Sequence, residues 1–283
     1  MNAPLPTVPF CGLEVSKLIC GGNPLSGHSH VDSRLDREMV DFYTMPRIQE
    51  LWRECERLGI NTIQTRGDKH MMRAYHEHRL AGGTLQWIAQ TASEFTDSQA
   101  NIRLIQSYGA AAVYVHGSNT DRHWQEGRIE DIRKILLQIK DIGLPAGLGT
   151  HIPEVIQHAE EKGWETDFYM GCFYNLSRKP KQQPGVDPQA YKNERFLDED
   201  PPRMVTTLRN CSKPCLGFKV LAAGRKCSDP EQVRRAFGFA LRGLKSTDAI
   251  VVGVYQKKKN QLEENVHCVR RVLTEKFSER RLR

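Results

Sequence analysis

Short apolar runs separated by stretches of helical periodicity recur from one end of this chain to the other, and that alternation restricts its fold more than any other feature. The runs at 17–20, 60–64, 85–90, 111–115, 145–149, 167–172, 215–220 and 249–252 have the length and composition of buried strands. Between them, Ile48, Leu51, Trp52, Cys55 and Leu58 share one helical face that Gly59 closes, and Ile129, Ile132, Leu136 and Ile139 share another that ends at Gly143. Ile102 and Ile105 mark a further helix, and Pro153 suits the first turn of the next. Ser228 with Glu231 three residues on predicts a capping box ahead of Val233, Phe237, Ala240 and Leu244. Leu262, Val266, Val269 and Leu273 carry the last helix. Strand then helix, repeated to the end of 283 residues, predicts an α/β fold, a (β/α)8 TIM barrel filling a single domain, 1–283. An open doubly wound sheet is the competitor, but no G-x-G-x-x-G follows the first strand.

Three segments depart from the rhythm. GLEVSKLICGG at 12–22 reads as a short hairpin leading into the first barrel strand, and 23–44 reads as a long polar loop. A polar insertion at about 176–203 follows the sixth strand and is too long for a plain βα connection. The net charge of +7 comes from Lys and Arg scattered among Asp and Glu, with no recognised nucleic-acid motif, so no nucleic-acid partner is expected. The start MNAPLPTVPF lacks a signal-peptide pattern and no apolar run approaches a bilayer span, which predicts a cytoplasmic protein without membrane contact. Its eight cysteines are expected to be reduced thiols, and the Cys211–Cys215 spacing matches neither zinc nor thioredoxin-type motifs.

In a parallel barrel the chemistry gathers at the carboxyl ends of the strands. Those ends deliver Asn23, His28 and His30; Gln64, Arg66, Asp68, Lys69 and His70; Gln90; His116, Asn119 and Asp121; Thr150, His151 and Glu154; Tyr174 and Asn175; and Lys219 and Arg225. A lone histidine at a strand end is commonly a hydrogen-bonded structural residue. His116 stands apart because it ends the apolar run AAVYVHG, where an inward side chain faces the barrel mouth. Lys219 interrupts the apolar run GFKVLAAG, either as base, nucleophile or anion partner, or with its stem snorkelling outward. His30, His116 and His151 are the alternative ligands of a divalent metal, although no H-E-x-x-H or other compact ligand pair is present.

The order of these signals resembles the aldo-keto reductase superfamily over nearly the whole chain. GLEVSKLICGG is similar to that family's opening, GINTIQT to its second strand, AVYVHG to its strand-four histidine, VLAAGR to the loop after strand seven, and GVYQKKKNQLEEN to its cofactor-adenosine segment. The resemblance implies carbonyl reduction with NADP or NAD by an Asp, a Tyr, a Lys and a His. Here the Asp position reads Gln64, the Tyr position falls near Lys69 and His70, the Lys position reads about Gln90, and His116 is retained. The family's carboxamide-holding Ser-Asn reads Gly149 and Thr150. The resemblance further implies cofactor contacts at Thr150, Tyr174, Arg225, Gly253, Lys257, Glu264 and Asn265.

The leading expectation is therefore an aldo-keto-reductase-like barrel enzyme acting on a small carbonyl or polyhydroxylated compound. In it His116 polarises the substrate oxygen, Lys69 or His70 replaces the acid, and Lys219 belongs to the same catalytic group. The alternative is a lyase, isomerase or hydrolase on a sugar-like substrate, with or without a divalent metal, since amide and imidazole groups suit hydroxyl-rich ligands and proton transfer. A non-catalytic ligand-binding barrel is the third reading.

Overall fold

Parallel strands that are apolar on both faces leave no edge exposed when they close on themselves. A computed structural model describes residues 5–178 and 194–281, with side chains to Glu275, and the strand runs form such a closed barrel. An antiparallel hairpin, β1 (Thr7–Phe10) and β2 (Leu13–Ser16), precedes the barrel strands β3 (Leu18–Gly21), β4 (Thr62–Arg66), β5 (Gln86–Gln90), β6 (Ala112–Val115), β7 (Ala146–Thr150), β8 (Phe168–Cys172), β9 (Cys215–Phe218) and β10 (Ala249–Gly253). The barrel closes where β10 runs parallel to β3, with Ile250 opposite Leu18. The outer helices are α1 (Ser33–Phe42), α2 (Met45–Leu58), α3 (Lys69–Leu80), α4 (Ser98–Ser107), α5 (Gly117–Gln125), α6 (Glu130–Asp141), α7 (Pro153–Glu161), α8 (Asp200–Asn210), α9 (Pro230–Gly243) and α10 (Gln261–Arg281).

Two apolar cores follow from the period-two alternation of the strands. One lies between barrel and helices. The other fills the barrel with Ile19, Ile88, Tyr114, Phe168, Met170, Leu216 and Val251, and the hairpin residues Val8, Phe10 and Val15 plug it from the amino-terminal end. Phe10 meets Phe168 with ring centroids 4.9 Å apart. Glycine makes room on β7: a Cβ on Gly147 would lie 2.3 Å from the Phe168 ring, and one on Gly149 2.9 Å from the Tyr114 ring. The two aromatic rings therefore occupy the barrel axis, and Tyr114 becomes the floor beneath the mouth.

The structure corrects several boundaries. The hairpin begins upstream of 12–22, at Thr7. The expected polar loop at 23–44 contains a 3-10 turn, Pro24–Ser26, and all of α1, whose first turn is capped by Asp32 accepting from the Leu35 amide. That helix escapes a hydropathy reading because Met39 is its only buried residue. The capping residue of α9 is Asp229 rather than Ser228, accepting from the Gln232 amide at 2.8 Å. Strand β9 stops at Phe218 because Lys219 adopts a left-handed φ of 57°, which turns the chain out of the sheet. Much of the insertion lies outside the described residues. Its far end shortens, because α8 starts at Asp200 with Pro201 and Pro202 in the first turn, where a missing N–H costs nothing. Among the described residues no helix is long and apolar enough to cross a membrane.

Candidate active site

The mouth is built from the strand ends upward. Thr150 ends β7, and its hydroxyl accepts from the Ile152 amide at 3.0 Å, which sets the turn into α7 and places His151 over the barrel. Helix α5 starts directly after β6 and carries Asp121 to the same point. His151 Nδ1 lies 2.7 Å from Asp121 Oδ2, with the Asp121 side chain 2 % exposed. The carboxylate accepts from four donors: the Thr150 and Ser177 hydroxyls, the His151 amide and the His151 ring. A buried carboxylate so fully bonded is a fixed anion, and it fixes the ring. The other face of the imidazole packs on Phe218, centroids 5.7 Å apart, and Cys172 at the end of β8 is in hydrogen-bonding contact with it. Burial alone lowers the basicity of His151, but the Cys172 sulfur and the Asp121 carboxylate outweigh it and lift the group to about 10. His151, Cys172, Asn175, Asp200 and Met204 border a cavity of about 10 Å³, room for roughly one water.

His116 is the opposite case. It precedes the first turn of α5, its amide donates to the Thr91 hydroxyl at 3.0 Å, and its Nδ1 is buried with no hydrogen-bond partner among the described residues. The ring edge stays partly exposed, yet burial, then the positive charges of Arg66 and His151, push it down to about 3. His116 is therefore a neutral imidazole beside a protonated one. Arg66, at the end of β4, pairs with Asp68 at 3.1 Å and with Glu94. Gln90 donates to the Tyr114 hydroxyl at 3.0 Å, and Gln64, buried on the interior face of β4, completes the floor.

A third group covers the mouth. Lys219 Nζ lies 2.8 Å from His30 Nε2, and His30 Nδ1 lies 2.9 Å from Glu194, where the chain returns from the insertion. Phe196 then stacks between Tyr174, at 5.1 Å, and the Arg225 guanidinium, at 4.0 Å, while Arg225 also donates to the His30 carbonyl. His30, Lys219, Ala222 and Ala223 all have left-handed φ values, so four of the five non-glycine residues in that region among those described stand on this side of the molecule. Such strain persists where surrounding contacts over-determine the backbone.

The expected site residues thus divide. His116, Gln64, Gln90 and Lys219 reach the mouth, whereas Lys69 and His70 stand exposed on the first turn of α3. The alternative metal trio does not assemble, because His30 is engaged by Lys219 and Glu194 and His151 by Asp121. Among the described residues no three His, Cys, Asp or Glu side chains are placed to share an ion. The side chains expected to hold a dinucleotide are engaged elsewhere. Tyr174 is 2 % exposed beneath Phe196, Arg225 lies on the same ring, and the Thr150 hydroxyl donates to Asp121. Lys257 pairs with Glu38 of α1, Glu264 with Lys259, Asn265 is buried in α10, and Pro24 fills the space over Gly253. As folded, these side chains are taken by partners within the chain. Sequence reasoning placed Asp121 and His151 on the rim without pairing them, and it missed Cys172; strand parity on β8 was the signal that points Cys172 inward.

No protein-family model matches the chain, and no curated protein matches it in sequence. Among solved structures it is similar to Gox0644 in its apo form, with a TM-score of 0.60 and 10% identity over 95% of this chain and 93% of that one. At that identity the likeness shows the barrel fold alone.

Proposed function

We propose that the barrel mouth is the active site of an enzyme that moves protons on a small carbonyl or polyhydroxylated compound, as a lyase or isomerase does, within an aldo-keto-reductase-like scaffold. The observation that carries this reading is the buried His151–Asp121 pair. Asp121 accepts the hydrogen bond from Nδ1–H and so fixes the ring, which makes the Nε2–H beside Cys172 the proton donor of an acid that is charged at neutral pH. His116, neutral, supports the same oxygen by hydrogen bonding, because an uncharged imidazole donates without adding a second positive charge. Protonation of a carbonyl oxygen by His151 promotes transfer of the adjacent carbon-bound proton to water at the rim and leaves an enol, which is the step shared by sugar isomerases and many lyases. Lys219, held by His30, supplies a cation for the developing negative charge.

Hydride transfer rests on motif order, and the engaged state of Tyr174, Arg225 and Lys257 favours the proton-transfer reading over it. The test is deuterium wash-in from heavy water at the carbon next to the carbonyl, followed by NMR over a panel of aldoses and ketoses. Exchange is expected with at least one sugar and should fall about a thousandfold in His151→Gln, the scale on which an essential acid or base acts. No exchange across the panel, or exchange untouched by His151→Gln, sinks the proposal. A fluorescence change on titration with NADPH or NADH would return the mouth to hydride chemistry.

A further inference from the structure

The amino-terminal end of the barrel holds a second cluster that the mouth does not use. There α8 ends and β9 begins within one turn, and Cys211 Sγ and Cys215 Sγ lie 3.1 Å apart. Lys245 reaches over both sulfurs, its Nζ 3.3 Å from Cys215 and 3.6 Å from Cys211. The lysine is pinned there by the Leu208 carbonyl and, at 3.2 Å, by the fully buried carboxylate of Asp248. Ser212 between the cysteines is exposed, and Lys213 and Pro214 form one wall of an open cleft of about 450 Å³. The turn thus faces solvent, with the two sulfurs just beneath it.

The two thiols are unequal. The hydrogen bond from Cys215 holds Cys211 below the usual thiol range against burial, and Lys245 adds to that. Burial and the same bond push Cys215 up. Cys211 is also the less buried sulfur, 7 % exposed against 0 % for Cys215, so it is the one a solute meets first and its neighbour the one placed to resolve. Cys20 and Cys55 also touch, but burial and that contact push Cys55 well up, which makes it a poor nucleophile.

We propose that Cys211 and Cys215 form a redox-active dithiol that a peroxide converts into an intramolecular disulfide, with Lys245 as the positioning residue. In the first step the Cys211 sulfur attacks a peroxide oxygen: the S–O bond forms, the O–O bond breaks, and the thiol proton leaves with the departing oxygen as water. In the second the Cys215 sulfur attacks Cys211: the S–S bond forms, the S–O bond breaks, and the Cys215 proton leaves with the hydroxyl as a second water. Both sulfurs are oxidised and the peroxide is reduced by two electrons. The bridge fastens the end of α8 whose opposite terminus carries Asp200 and Met204 to the mouth cavity.

The experiment treats the full chain with graded hydrogen peroxide, then alkylates it with iodoacetamide and digests it with trypsin. Pro214 blocks cleavage after Lys213, so both cysteines fall in one peptide, 210–219. That peptide is expected to lose two hydrogens and both alkylation sites at peroxide exposures that leave Cys227 and Cys268 fully alkylated. Lys245→Met should slow the bridge about tenfold, since thiolate attack sets the rate. Cys215→Ser should halt Cys211 at a sulfenic acid that dimedone traps. Alkylation of 210–219 that persists as long as that of Cys227 and Cys268 overturns the proposal, as does oxidation to sulfinic acid without a bridge. If Cys215→Ser does not fold, the wild-type peptide ratio decides alone.

Discussion

The two ends of this barrel are made of the same strands and have opposite characters. At the amino-terminal end Val8, Phe10 and Val15 fill the axis against Phe168, all nearly or fully buried, and Lys17 ties the hairpin to the Ser246 and Asp248 carbonyls at 2.6 Å. At the carboxyl end the axis is topped by Gln90, His116 and His151, the Asp121 carboxylate is buried beside them, and the loop after β9 has left-handed residues at Lys219, Ala222 and Ala223. One end gathers apolar burial, the other gathers polar groups and backbone strain. A barrel can carry a strained mouth because its apolar packing is concentrated along the axis at the opposite end.

Three measurements can break or sharpen that contrast. The largest effect is expected from Phe10→Ala, which empties the plug and should lower unfolding stability by about 3–5 kcal/mol in a denaturant titration. The imidazole NMR signals of His116 and His151 should stay where they are; a loss under about 1 kcal/mol, or shifted imidazole signals, would show that the ends are not independent. Next comes pH. The folded-state value of His151 is raised from 6.5 to about 10, so its contribution is complete below 6.5 and disappears as pH climbs through 10. His116 is lowered from 6.5 to about 3, so its contribution is present above 6.5 and disappears as pH falls toward 3. The stability gap between the wild type and Asp121→Asn should therefore narrow on the alkaline side, and His116→Asn should flatten part of the acid side. A gap independent of pH contradicts the charged state assigned to His151. The smallest effect is a gain: Ala223→Gly at φ 50° should relieve left-handed strain and raise stability by about 1 kcal/mol, and a loss there would mean that the loop is held by side-chain packing rather than strained.

The barrel was legible because its strands are apolar on both faces and its helices are punctuated by glycines such as Gly59 and Gly143, which do take left-handed φ values. The inward parity of His116 was legible too. What escaped were features made by three-dimensional proximity. Asp121 and His151 are 30 residues apart in sequence and meet only because α5 lies against β7. Helix α1 was hidden by its polarity, and Glu38 of α1 with Tyr43 just past its end occupy Lys257 and the Val254 carbonyl on the stretch whose motif suggested a nucleotide. Lys257, in the segment whose resemblance implied a cofactor contact, therefore meets an acidic partner on α1.

The hairpin has one more consequence. Side chains fill the axis and Val8, Phe10 and Val15 seal its lower end, so no passage runs through the barrel and the rim is reached from the carboxyl side alone.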